Sequence, residues 1–153
     1  PEAAAALERY EPVGARCRIE RLASGAVVLH DAFNANPVSM AAALRVLASL
    51  PGRRIAVLGD MLELGPDAPR YHREVLGLAG SLGLDGVVLV GPQMAAARGS
   101  LDARAVAEAA EVASLLAGEL RAGDHVLLKA SRGLRLERAL EALRAGPGDL
   151  ARR

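Results

Sequence analysis

Two rhythms run along the chain. Short, nearly continuous apolar runs occupy Ala26–His30, Arg54–Leu58, Gly86–Val90 and His125–Lys129. Between them, apolar residues recur at helical spacing over Pro37–Leu50, Pro69–Leu82, Glu108–Arg121 and Leu134–Arg144. Uniformly apolar runs fit strands covered on both faces, and helical spacing fits the helices that cover them. The punctuation agrees. Pro37 suits a first helical turn, and Pro51-Gly52, Gly83 and Gly123 follow the expected helix ends. A short helix at Gln93–Arg98 and a strand at Arg104–Ala107 fill the remaining interval.

The first part of the chain reads differently. Glu2–Tyr10 predicts a short Ala-rich helix ended by Pro12 and Gly14. From Arg16 to Leu22 the pattern alternates, with Cys17, Ile19 and Ala23 set against Arg16, Arg18 and Glu20. That predicts a half-exposed strand with the Cys17/Ile19 side inward, joined through Ser24-Gly25 to Ala26–His30 as a hairpin. The expected fold class is α/β: a Rossmann-like three-layer domain with a mainly parallel sheet, preceded by a β-hairpin.

Composition narrows the function. At 153 residues, 52% hydrophobic and 24% charged, the chain suits one folded domain and not a disordered one. A net charge of +1 and three aromatic residues give no footprint for nucleic acid or an anionic membrane. A single cysteine, Cys17, excludes an internal disulfide and fits a reducing compartment. No run reaches transmembrane length, the first residues lack the pattern of a signal peptide, and the missing initiator Met suggests a fragment. Arginine supplies every basic residue except Lys129; Phe33 is the sole Phe, and Asn34 and Asn36 are the only Asn. A Lys or short amide in such an Arg-rich background draws notice, because Arg cannot replace a compact ammonium.

In open parallel sheets, ligands bind beyond the C-terminal ends of the strands. Three such loops carry the unusual polar residues: Asp31-Ala32-Phe33-Asn34-Ala35-Asn36-Pro37, Gly59-Asp60-Met61-Leu62-Glu63-Leu64-Gly65, and Lys129-Ala130-Ser131-Arg132-Gly133. Parallel strands predict that they converge as one cleft. Asp31 suits ribose hydroxyls; Asn34 and Asn36 read first as turn and helix-cap residues, with a phosphate loop as the alternative. Asp60 is open to the same two readings. Lys129 with Ser131 and Arg132 ahead of a helix forms an anion-binding corner. Arg16 reads as an exposed strand Arg, His72 as a packed or capping histidine, and Met61 and Phe33 as packing residues. No metal-ligand spacing, thiol nucleophile, P-loop or Gly-x-Gly-x-x-Gly run occurs, so no catalytic residue is assigned.

In order and spacing, these loops resemble the C-terminal domain of the Mur family of amide ligases. The family run Asp-Asp-x-Tyr-Asn-Ala-Asn-Pro-x-Ser-Met is similar to His30–Met40, with His30 for the first Asp and Phe33 for Tyr. Leu-Gly-Asp-Met-x-Glu-Leu-Gly is matched by Leu58–Gly65, and Lys-Gly-Ser-Arg by Lys129–Arg132 with Ala130 for Gly. His72–Val75 and Pro51–Arg54 also fit, so the likeness runs from about Leu7 to Leu143. The Asn-Ala-Asn-Pro run belongs to the branch that adds D-alanyl-D-alanine to UDP-N-acetylmuramoyl-tripeptide. Sister enzymes, folylpolyglutamate synthase among them, and a free-standing nucleotide-binding module are the alternatives.

The resemblance implies a cytoplasmic, three-domain ligase using ATP and Mg²⁺ in cell-wall precursor synthesis. Residues 1–14 would end the central ATPase domain or its linker, 15–146 would form the C-terminal domain, and 147–153 a tail. Arg16 would reach the γ-phosphate, Asp31 the ribose, and Asn34 and Asn36 would shape that loop. Asp60, Glu63, Lys129, Ser131 and Arg132 would border the dipeptide. The metal ligands and the tripeptide site would lie in N-terminal and central domains upstream, leaving this piece inactive alone. Ala130 is the departure of most consequence, since its Cβ crowds a loop that the family keeps bare.

Overall fold

The computed structural model describes residues 17–116 and 118–145. In chain order its regular elements are strands β1 (Arg18–Arg21) and β2 (Val27–Asp31), helix α1 (Pro37–Ser49) and strand β3 (Arg54–Gly59). Helix α2 (Ala68–Ser81), strand β4 (Gly86–Val90), helix α3 (Pro92–Ala97) and strand β5 (Arg104–Val106) follow. Helix α4 (Ala109–Leu116), strand β6 (His125–Lys129) and helix α5 (Glu137–Ala145) complete the order. Short 3-10 turns, Gly65–Asp67 and Arg132–Leu134, precede α2 and α5. The helix expected over Glu2–Tyr10 lies outside the described residues.

One six-stranded sheet has the order β1-β2-β6-β3-β4-β5. Only β1 runs antiparallel, paired to β2 as the hairpin predicted. The other pairings are parallel, as expected of apolar runs flanked by helices. Successive strand residues face opposite ways, so the two apolar layers interleave along each strand. Ile55, Val57, Val126 and Leu128 pack on α4 and α5 with Val112, Leu116 and Leu140. Ala56, Leu58 and Leu127 pack with Met40, Leu44, Val75 and Leu76 from α1 and α2. The sheet is therefore the middle of three layers.

Three expectations change. Ile19 is 73% exposed, whereas Glu20 turns toward the domain and pairs with Arg144 of α5. The inward side of β1 is thus the charged one, because an edge strand over a helix end is met there by an Arg and not by an apolar side chain. The helix expected over Glu108–Arg121 is α4, Ala109–Leu116, with turn residues Gly118 and Glu119 behind it. The helix expected from Leu134 starts at Glu137, because Arg135 takes a left-handed conformation (φ 50°) between the 3-10 turn and α5.

Strand β6, late in sequence, lies between β2 and β3. Register sets Lys129 beside Asp31 on one side and Leu58 on the other. The loops that leave β2, β3 and β6 are consequently neighbours at one edge of the sheet.

Candidate functional site

Lys129 ends β6 with 1% exposure, and its Nζ donates to Asp31 Oδ2 at 2.6 Å and to the Asn34 carbonyl at 3.1 Å. A buried ammonium requires such partners, since an unpaired charge there is strongly unfavourable. Asp31 Oδ1 also accepts from the Cys17 backbone N–H at 3.3 Å. The Cys17 thiol is held above its ordinary pKa, first by burial and then by the Asp31 carboxylate.

The loop after β2 closes onto α1 through Asn36. Its Oδ1 accepts from Ser39 N–H at 2.9 Å, and the Ser39 hydroxyl accepts from Asn36 N–H at 3.1 Å, a reciprocal capping box. Asn34 is exposed. Of the two short amides, one serves the helix entry and one presents its side chain to solvent.

Asp60 is the knot of the second loop. It is 2% exposed, and its carboxylate accepts from Met94 N–H at 2.7 Å and from Gln93 N–H at 3.2 Å, capping α3. Its carbonyl also accepts from Ser131 N–H at 3.1 Å. The Ser131 hydroxyl, in turn, accepts from Leu62 N–H at 2.9 Å, joining the second loop to the third. His72, fully buried, accepts from Met61 N–H at Nε2 (3.0 Å), which leaves Nδ1 to donate to the Ala68 carbonyl at 2.7 Å. Of the two roles expected of His72, packed or capping, the structure shows the packed one, with its ring bonding the second loop to the first turn of α2.

Clamped on both sides, the second loop carries Glu63 at its tip. Glu63 is exposed with φ 63°, a left-handed conformation that non-glycine residues adopt at a cost. Exposed Arg132 lies over the Phe33 ring, 5.4 Å from its centroid, and thereby links the third loop to the first. Ala130 is fully buried, its Cβ lying 2.5 Å from where a Cβ on Gly59 would be. The methyl expected to crowd the loop is accommodated because Gly59 has none.

The structure therefore brings together Asp31, Asn34, Asn36, Asp60, Glu63, Lys129, Ser131 and Arg132; Arg16 lies outside the described residues. Asp31, Glu63 and Arg132 bring charge to the surface, and Asn36, Asp60 and Ser131 hold backbone groups. The N–H groups that Asp60 caps, those of Gln93 and Met94, lie in the first turn of α3, after Gly91, an element that sequence reasoning did not connect to the site. The three loops interlock as a surface. An open groove of about 930 Å³ lies at the other end of the sheet, lined by Arg53, Asp85 and Arg104 among others, and none of these site residues borders it. No group of three or more His, Cys, Asp or Glu gathers at metal-binding distance among the described residues.

Comparison with known proteins agrees with this geometry. The family model of the Mur ligase, glutamate ligase domain matches residues 16–132. The UDP-N-acetylmuramoyl-tripeptide–D-alanyl-D-alanine ligase of Treponema pallidum is 36% identical over 146 residues, covering 90% of this chain and 31% of that protein. Its Bacillus subtilis counterpart is 34% identical, covering 95% of this chain and 34% of that protein. The structure of the MurF ligase of Thermotoga maritima in complex with ADP superimposes with a TM-score of 0.80 at 29% identity, over 90% of this chain and 32% of that one. The chain spans about a third of the length of the curated relatives it matches. It belongs to the Mur ligase family, as the C-terminal domain of that fold.

Proposed function

We propose that the chain is the C-terminal domain of an ATP-dependent ligase that joins D-alanyl-D-alanine to UDP-N-acetylmuramoyl-tripeptide. The observation that carries this reading is the direct bonding of the three loops. Lys129 ties the first to the third, and Ser131 ties the second to the third. Residues matching the nucleotide and acceptor motifs thus form one surface, and relatives named for this reaction share the sequence over most of the chain.

In the reaction, the tripeptide carboxylate takes the γ-phosphoryl group of ATP, releasing ADP. The dipeptide amine then attacks the acyl phosphate carbonyl, forming the amide and releasing phosphate. Asp31 is assigned to accept from the ribose hydroxyls and Arg16 to meet the γ-phosphate, while Asn34 and Asn36 shape the loop between them. Arg132 offers the cation for the dipeptide carboxylate and Glu63 an anion nearby; Asp60 and Ser131 border and hold that half, and Lys129, at its border, bonds the nucleotide-facing loop. Such a surface is open when the domain stands alone and becomes a site when other domains of the longer chain close over it, with residues 15–146 as the closing unit. Mg²⁺ would be held by residues of the upstream domains; the described residues gather no cluster of three or more His, Cys, Asp or Glu for it. No helix among them is long and apolar enough to cross a membrane; cytoplasmic precursor synthesis is part of the proposed reading.

The test is acceptor-dependent amide formation by the full-length protein that carries this chain. With ATP and the tripeptide precursor, D-alanyl-D-alanine should yield one amide and one phosphate per turnover, and diaminopimelate or glutamate should not. Product with those acceptors instead would move the chain to a sister ligase. Phosphate release by the 153-residue chain alone would overturn its assignment as a dependent domain.

A further inference from the structure

We infer that Lys129 is a positioning residue for the nucleotide-facing loop and not a ligand of the acceptor dipeptide; this rests on the functional reading above. Every described partner of its ammonium lies at the end of β2 or in the loop that follows it. Nζ donates to Asp31 Oδ2 at 2.6 Å and the Asn34 carbonyl at 3.1 Å, with the Asp31 carbonyl at 3.5 Å. An ammonium has three hydrogens, and these contacts occupy its directions. At 1% exposure the group has no open side for a dipeptide carboxylate, which would have to displace that of Asp31.

The geometry gives this strut a purpose. Parallel register sets Lys129 beside Asp31, so the ammonium grips the loop at its first residue and again at Asn34. Asn36 fixes the far end by capping α1. Anchored at three places, the backbone holds the Asp31 carboxylate, 21% exposed, in one orientation. Such fixing reduces the ordering left to be done when a ligand binds. Lys is suited to the place because a compact ammonium fits where a planar guanidinium fork does not. Within the three loops, the exposed cation left for an acceptor carboxylate is Arg132, stacked over Phe33 at the rim.

The test separates the two substrates kinetically in the full-length ligase. Lys129→Met keeps the chain's length and apolar stem but removes the ammonium. It should raise KM for ATP about tenfold and leave KM for D-alanyl-D-alanine within about twofold. In an Asp31→Asn background the same change should add less than it does alone, because the strut acts through that carboxylate. Should Lys129→Met not accumulate as folded protein, Lys129→Arg carries the same prediction. A rise in the dipeptide KM with that for ATP unchanged would overturn the inference in favour of acceptor binding. Equal rises, or no change in either, would overturn it as well. Wild-type enzyme that forms no amide with the dipeptide would defeat the functional reading itself, independently of Lys129.

Discussion

Asp60, at the end of β3, accepts a 2.7 Å hydrogen bond from the backbone N–H of Met94, thirty-four residues along the chain. The contact holds α3 against the loop that carries Glu63, and the aspartate does so from a buried position. Asp60→Ala should therefore lower unfolding free energy by about 1–2 kcal/mol, the range for losing a helix cap. Asp60→Asn keeps one accepting oxygen and should lose less. Urea denaturation of the two variants checks the order.

Gly59 and Ala130 form a complementary pair across β3 and the β6 loop. A Cβ at position 59 would lie 2.5 Å from the Ala130 methyl. Gly59→Ala should destabilise by roughly 1–3 kcal/mol through overpacking. Adding Ala130→Gly should recover most of that loss. Strictly additive effects in a thermal-melt double-mutant cycle would show that the two positions do not share the space.

His72 supplies a buried acceptor for the Met61 N–H. Its replacement by Leu leaves that donor unsatisfied, which should cost about 1–3 kcal/mol. His72→Gln can still present an oxygen and should be milder. Chemical denaturation with parallel amide exchange at Met61 distinguishes the two outcomes.

Stability should also depend on pH through His30. Burial holds its imidazole below the ordinary 6.5, opposed by Glu20 and Glu137 and assisted by Arg144 and Arg18. Below that pH the unfolded chain takes up a proton that the folded one resists. Stability is thus fully present above about 6.5 and declines as pH falls through the window beneath it. His30→Gln should flatten the curve there. Glu20, whose pKa is lowered chiefly by its hydrogen bond to Arg144, adds a separate loss only as pH falls below 4.5. Urea midpoints measured across pH 4–7.5, roughly, resolve the two windows.

Much of the fold was legible because single residues mark it. The bounds of β4 and β6 coincide with their apolar runs, and Pro37 opens α1 as its fixed φ suggests. The αL break at Arg135 was not legible, since neither Gly nor Pro marks it. The inward turn of Glu20 escaped for a different reason: its partner, Arg144, is 124 residues away, beyond any local pattern. At the site, sequence grouped the right loops but not the direction of their side chains. Lys129 and Asp60 have the chemistry of ligands, and only their burial and partners reveal that they hold the loops.

The central claim is that the edge formed by the three loops faces the ligands, although a groove of about 930 Å³ lies at the opposite end of the sheet. Hydrogen–deuterium exchange on the full-length protein tests this most directly. ADP should protect amides in residues 31–37, and D-alanyl-D-alanine should protect those in 59–65 and 129–134. Protection appearing instead at 83–86 and 98–104, around the far groove, would contradict the account.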